Sequence, residues 1–243
     1  MVVAVEPMVV PVDKPVGPSS FRMVQLVRRA LGVKKVGHAG TLDPFASGLL
    51  VLCVGREATR LVDHLMAGDK EYLATLQLGT ATDTHDCQGK VVAEHPFTSE
   101  HFQGLESALD EFRGEIMQSP PSFSAVKHQG KPLYAYARAG EHIVKPPRPV
   151  TIHQLSCLEL DPREGRVLLR IRCSKGTYIR SLAHDLGRIL GCGAHLSALR
   201  RTASGDLRVE EAVDGTGLEQ REDAAVRLRA KALSLADIKA RLE

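Results

Sequence analysis

Apolar residues recur along this chain with two different periods, and each change of period predicts an element boundary. The run "MVVPVDKPVGPSS" opens as a strand and closes in a proline–glycine turn. In "SSFRMVQLVRRALG" the period lengthens to that of a helix. Ser19 or Ser20 is its N-cap, Phe21, Val24, Val27 and Leu31 share its apolar face, and Gly32 ends it. Arg22, Arg28 and Arg29 lie on the opposite face. "GLLVLCVG" is a continuous apolar run, read as a buried strand or a buried helix turn, and "REATRLVDHLMAG" reads as helix. In "KEYLATLQLGTATDTHDCQGKVVAEH" the alternation of Tyr72, Ala74, Leu76 and Leu78 predicts two strands around a polar turn.

Farther along, "TSEHFQGLESALDEFRGEI" predicts one amphipathic helix, with Phe102, Leu105, Leu109 and Phe112 at helical spacing. The next segment, "QSPPSFSAVKHQGKPLYAYARAGEHIVKPPRPV", holds six prolines and therefore reads as a partly irregular, projecting arm. "RVLLRIRCSKGTYIRSLAHDLGRILG" predicts a strand, a turn and a helix, and the last forty residues or so predict a charged helical tail. There is no internal repeat and no low-complexity segment. Strand pairs interspersed with helices imply an α+β fold with a mixed, mostly antiparallel sheet.

Composition narrows the class. Hydrophobic residues at 43% and charged residues at 25% suit a globular protein with a sizeable core. No apolar run approaches the roughly 20 residues that span a bilayer. The start "MVVAVEPMVV" lacks a basic leader and cleavage site, so it reads as strand, and the expected location is the cytoplasm. Cys53, Cys87, Cys157, Cys173 and Cys192 are scattered without a C-x-x-C pair, which argues against a disulfide framework and a zinc site. Neither metal nor cofactor is expected, and nothing demands more than a monomer.

Charge distribution adds a partner. Residues 14–42 carry six basic groups and no acid, and residues 121–150 carry five basic groups against Glu141. From Glu210 onward, acids exceed bases by eight to six. Two basic stretches flanking a more neutral body point to a polyanion partner, nucleic acid.

The stretch "GHAGTLDPFASG", residues 37–48, is the most informative for chemistry. It lacks the lysine of a phosphate loop and the G-x-G-x-x-G of a dinucleotide site. Read as a turn, it leaves unexplained a carboxylate, Asp43, followed by a rigid proline, with His38 five residues earlier in a flexible loop. A catalytic carboxylate benefits from such fixation, because proline restricts the residue before it. Arg180, in "GTYIR", reads either as a surface arginine or as a guanidinium paired with a buried carboxylate. "TDTHD", residues 82–86, lacks regular oxygen-ligand spacing and reads as a polar turn.

Taken together, "DKPVGPSSF", "GHAGTLDPFASGLLVLCVGREATR", "DKEYLATLQLGTATDTHDCQGKV", "PPSFSAVKHQGKPLYAYARAG", "CSKGTYIRSLAHDLG" and "GCGAHLSALRRTASG" closely resemble the TruB-type tRNA pseudouridine synthases. That family isomerises uridine 55 in the tRNA T arm. The resemblance runs to about residue 205 in family order. It implies the pseudouridine synthase fold, a central sheet flanked by helices, with residues 1–205 as catalytic domain and residues 121–150 as an inserted RNA-clasping arm. Residues 206–243 would be a short tail, with a full C-terminal RNA-binding domain absent.

The resemblance also implies roles. Asp43 is the essential aspartate, and His38 lies near the space left by the extruded nucleotide. Tyr72 stacks on the target uracil, Tyr178 contacts substrate, and Arg180 pairs with the aspartate. Leu199 lines the base pocket, and Asp86 is an acid near the site. The reaction breaks the C1′–N1 bond, turns the uracil and rejoins it through C5, so no redox change or group donor is needed. Asp43 could attack the sugar, attack the base, or remove a sugar proton. Phe123 departs from the tyrosine frequent at its position, and "VGREATR" has one residue more than the usual spacing. Two rival functions accompany this reading: a synthase subunit guided by a separate RNA, and a tRNA-binding foldase acting without catalysis.

Overall fold

The computed structural model describes residues 6–141 and 143–242. The first five residues of the expected N-terminal strand lie outside that range. Two compact units are formed, one from Met1–Glu71 with Arg200–Glu243 and one from Tyr72–Leu199. The pairings are mixed but mainly antiparallel, and helices accompany the strands of each unit, as an α+β fold requires.

The first unit begins with strand β1 (Met8–Lys14), then helix α1 (Ser20–Leu31). The Ser19 hydroxyl caps α1 by accepting the Arg22 N–H at 3.1 Å, and Gly32 ends it in the left-handed conformation. Met23, Val24, Leu26, Val27, Ala30 and Leu31 are buried, but Phe21 is 56% exposed. The apolar stripe therefore starts at Met23, two residues later than its spacing implied. In the first turn Phe21 lies under the Arg28 guanidinium instead, 5.8 Å from the ring centroid.

Strand β2 (Val36–Ala39) pairs with β3 (Ser47–Val54), which also pairs antiparallel with β1 along its whole length. Every residue from Gly48 to Val54 is buried, so both faces of the strand are covered; that explains why "GLLVLCVG" is continuously apolar, and the pairing resolves it as strand. Helices α2 (Arg56–Thr59) and α3 (Val62–Ala67) come next, two short pieces where one helix was expected.

Strand β4 (Lys70–Leu78) carries the chain into the second unit, and Tyr72, Ala74, Leu76 and Leu78 are buried as their alternation predicts. At Gly79 the backbone turns positive, φ 87°, and leads into a separate hairpin of β5 (Thr80–Thr82) and β6 (Val91–Glu94). The sequence predicted two strands here and there are three. The expected amphipathic helix is likewise two, α4 (Ser99–Gln103) and α5 (Leu105–Asp110), divided at Gly104. Strand β7 (Gly114–Gln118) precedes the basic segment, which contains the small hairpin β8 (Lys127–His128) and β9 (Lys131–Pro132) and helix α6 (Leu133–Ala137). Strands β10 (Arg148–Asp161) and β11 (Arg166–Cys173), helix α7 (Ile179–Leu190) and strand β12 (Ala194–Ser204) complete the unit. Its strand order is β12, β4, β11, β10, β7.

Through β12 the chain re-enters the first unit. It continues as strands β13 (Leu207–Arg208) and β14 (Val213–Asp214), helix α8 (Arg221–Ala230), strand β15 (Leu233–Ser234) and helix α9 (Leu235–Leu242). β14 pairs parallel with β1 and β15 pairs antiparallel with it. Ile238 of α9 enters a core with Val9, Leu49, Val51, Cys53, Leu207 and Val209, so the two ends of the chain share one apolar cluster.

Gly48 sits where β3 meets β12. Its φ is 102°, and a Cβ there would lie 2.3 Å from the Arg201 carbonyl oxygen, which is backbone and cannot yield. Gly48→Ala is expected to cost about 2–4 kcal/mol through steric overlap and a strained φ. A urea midpoint unchanged in that variant would refute the close approach.

Candidate active site

Residues 40–46 connect β2 to β3 and hold Asp43, half-buried, between two chain segments that bond the loop's backbone. The Ser20 hydroxyl, at the start of α1, donates to the Leu42 carbonyl at 2.9 Å and accepts the Leu42 N–H at 2.8 Å. The Gly17 N–H donates to the Pro44 carbonyl at 2.8 Å, and the Ala46 N–H donates to the Asp43 carbonyl at 3.1 Å. Arg201 on β12 is 1% exposed; its Nε donates to the Leu49 carbonyl at 2.7 Å and Nη2 to the Gly40 carbonyl at 3.1 Å. Nη1 reaches the Thr41 carbonyl at 3.4 Å. Lys14, at the end of β1, is wholly buried, and its Nζ donates to the Pro15 and Pro18 carbonyls at 2.8 and 2.9 Å. The carbonyls of residues 40–44 thus each have a donor, so Asp43 stands on a fixed backbone.

The charges below the loop are also ordered. Burial pushes the Lys14 ammonium down to about 8; the Asp43 carboxylate opposes that shift and Arg201 adds to it. Lys14 remains a cation at neutral pH and is electrostatically coupled to Asp43. His38 is placed differently from the flexible loop expected of it. It lies within β2, its backbone in register with Leu52, and its Nδ1 is buried without a hydrogen-bond partner among the described residues. Strand pairing overrides the nearby Gly37 and Gly40. Burial first, and Arg201 second, hold its imidazole below the usual range.

The other candidate residues belong to the second unit. Tyr178 is the residue before α7, and Gln118 brackets its backbone: the Tyr178 N–H donates to Oε1 at 2.7 Å, and Nε2 donates to the Tyr178 carbonyl at 3.1 Å. Arg180, 5% exposed, donates from Nη1 to the Thr84 carbonyl at 3.0 Å and from Nη2 to the Phe123 carbonyl at 2.8 Å. Its Nη1 is 3.5 Å from Oδ2 of the equally buried Asp86. The Asp86 Oδ1 accepts from the Thr84 hydroxyl at 2.7 Å and the Gln88 N–H at 3.0 Å. A buried ion pair survives desolvation when its remaining valences are met in this way. The Phe123 contact is made by the main chain, so phenylalanine in place of tyrosine leaves it intact. Tyr72 on β4 and Leu199 on β12 are 9% and 8% exposed and lie on hydrogen-bonded neighbouring strands.

Lys14, Ser20, Arg201, Gln118 and Thr84 belong to no motif that marks them for this role. For Arg201 a signal was present. In "LRRT" two arginines follow each other on a strand, and successive side chains face opposite ways, so one of them must point inward. Arg200 takes the outer position and makes a two-pronged pair with Asp13 at 2.9 and 2.6 Å, leaving Arg201 to the interior. Gln118 and Ser20 carry no such pattern. No group of three or more metal-ligating side chains occurs among the described residues, and the 82–89 segment is a polar turn.

Comparison with known proteins identifies the family. The TruB family pseudouridylate synthase N-terminal domain matches residues 28–179, and the tRNA pseudouridylate synthase B C-terminal domain matches residues 180–236. The chain is 50% identical over 230 residues to the tRNA pseudouridine synthase B of Desulfotalea psychrophila, covering 93% of each chain. It is 53% identical over 207 residues to that of an Azoarcus species, covering 85% of this chain and 68% of the relative. Among solved structures it is similar to a Cbf5–Nop10–Gar1 complex, with TM-score 0.68 and 32% identity, covering 93% of this chain and 60% of that one. The fold is that of a pseudouridine synthase, an isomerase. The chain belongs to the TruB family of pseudouridylate synthases. No helix among the described residues is long and apolar enough to cross a membrane.

Proposed function

We propose that the protein isomerises uridine 55 in the T arm of tRNA, as a cytoplasmic monomer that needs no guide RNA. The supporting observation is the fixed loop: Asp43 is presented on a backbone whose carbonyls are bonded by Ser20, Gly17, Ala46 and Arg201. Sequence identity favours tRNA over guided substrates. The relatives near 50% identity are named tRNA pseudouridine synthase B, whereas the guided assemblies are similar at 29–32%.

In this reading residues 1–205 carry the catalysis, residues 121–150 clasp the T loop, and residues 206–243 complete the first unit through β14, β15 and Ile238. Extruding the base costs a few kcal/mol, offset by stacking on Tyr72 and by apolar contact with Leu199. Asp43 is the essential carboxylate, and Arg180, steadied by Asp86, favours its charged form. Tyr178 contacts the nucleotide and His38 lies near the space it vacates. The C1′–N1 bond breaks, the uracil turns and the C1′–C5 bond forms. The C5 proton then leaves to solvent with the help of Tyr72, and N1, freed from the sugar, takes up a proton in its place. No electrons or groups are exchanged with a second molecule.

Tritium release from tRNA labelled at uridine C5 tests the reading, because each new C–C bond expels one label. Purified protein alone should release one label per T arm. Tight tRNA binding without release would leave the foldase, and release that requires an added RNA would identify a guided enzyme. The arm carries its own prediction. Lys127 and Arg148 are exposed, and changing both to glutamine should lower the salt slope of tRNA binding by about one to two units. An unchanged slope in a filter-binding titration would remove the arm from the interface.

A further inference from the structure

His85 and His184 stack face to face, with ring centroids 3.9 Å apart and planes 6° from parallel. His85 lies in the 82–89 turn with a left-handed backbone, φ 62°, a conformation that costs a non-glycine residue about 1 kcal/mol. That turn is held by the His85 N–H donating to the Thr82 carbonyl at 3.2 Å and by the His85 carbonyl accepting the Leu196 N–H at 3.0 Å.

Both flanking residues are partners of Arg180: the Thr84 carbonyl takes a hydrogen bond from it and the Asp86 carboxylate pairs with it. His184 is on α7, four residues after Arg180, and so lies one turn along on the same face. The ring stack therefore joins the same two elements as the guanidinium contacts. Both Nδ1 atoms are buried without hydrogen-bond partners among the described residues, an arrangement native proteins rarely keep without a reason.

The charged groups that act on the pair are Asp83, from the turn, and Arg180 at His85, and Asp185, from α7, at His184. Burial, then His184, then Arg180 hold the His85 imidazole down to about 4, with Asp83 opposing. At neutral pH its ring is uncharged. A proton on it would set a second cation beside Arg180, competing for Asp86.

We propose that the His85–His184 stack is a positioning element for Arg180, a neutral clip that keeps the Thr84 carbonyl and the Asp86 carboxylate aligned on the guanidinium. The inference rests on the reading of Arg180 as part of the active site. Neither histidine touches the reacting atoms in it.

The test measures single-turnover isomerisation and tRNA affinity of the full chain from pH 4.5 to 8, with thermal melts confirming the fold. His184→Ala should slow the reaction about tenfold or more while tRNA affinity stays within about twofold, because misplacement of a catalytic group acts on rate. His184→Phe retains a flat ring over His85 and should restore the rate to within about threefold at pH 7.5. It also removes the neighbouring imidazole that helps hold the His85 pKa down, so the acid limb of its rate profile should move to higher pH. His85→Asn tolerates the left-handed backbone but lacks the ring, and should match His184→Ala, with the double variant no slower than either. His184→Ala at the wild-type rate would overturn the clip, as would folded His184→Phe as slow as alanine or an unmoved acid limb. Asp43→Asn is run alongside; full activity there would overturn the site reading itself, a result distinct from failure of the clip.

Discussion

Asp43→Asn is expected to abolish isomerisation, by about a thousandfold or more, while the protein remains folded and binds tRNA. Asparagine has the same shape but cannot act as an anionic nucleophile or base, so all three routes open to Asp43 are lost together. The fold should survive because the loop is held by its main chain, through the Ser20, Gly17 and Ala46 contacts. Single-turnover tritium release gives the rate, and a binding titration gives the affinity. A rate within tenfold of wild type would remove Asp43 from the chemistry.

A second readout comes from Lys14, whose folded pKa of about 8 lies below its ordinary 10.5. Between those values the unfolded chain holds more protons, so this group adds stability as pH rises from about 8 to 10.5. Asp43 is what limits the depression. Without its charge the Lys14 pKa falls further, and the rising limb of stability should begin below pH 8. A stability profile identical to wild type would show that the two groups are not coupled.

How much of the fold was legible in the sequence depends on how local each signal is. The cap residues Ser19 and Gly32 and the alternation in β4 act within a few residues, and both were readable. The breaks at Gly79 and Gly104 were not, because glycine inside an apolar pattern is tolerated in some elements and divisive in others. His38 shows the same limit, since pairing with β3, not its own neighbours, makes it a strand residue. For the proposed site, Asp43 and Arg180 stand out through motif and residue type. The partners that fix them were hidden by distance along the chain: Arg201 reaches back to Gly40 and Arg180 to Thr84. Backbone carbonyls are partners that every residue offers, so no sequence pattern marks Thr84 or Phe123 as acceptors. Phe123 illustrates the consequence, because a departure at the side chain is silent where only the carbonyl is used.

The second large effect concerns Arg201. Arg201→Met is expected to destabilise the protein by about 3–5 kcal/mol, the cost of removing a buried charged donor and leaving its acceptors unpaired. Methionine fills much of the volume, so the loss is mainly polar: the Leu49, Gly40 and Thr41 carbonyls lose their donors together. Arg201→Lys should fare only slightly better, because one ammonium cannot reproduce donors aimed along Nε, Nη1 and Nη2. The loss should also reach the chemistry, since two of those carbonyls belong to the loop that carries Asp43. At a temperature where both variants are folded, the isomerisation rate should fall while tRNA affinity, set largely by phosphate contacts elsewhere, changes little. Arg200→Met serves as the neighbouring control. Its partly exposed pair with Asp13 is solvent-screened and should be worth no more than about 1 kcal/mol. Equal urea midpoints for the Arg200 and Arg201 variants would show that the inward arginine is not what holds the loop.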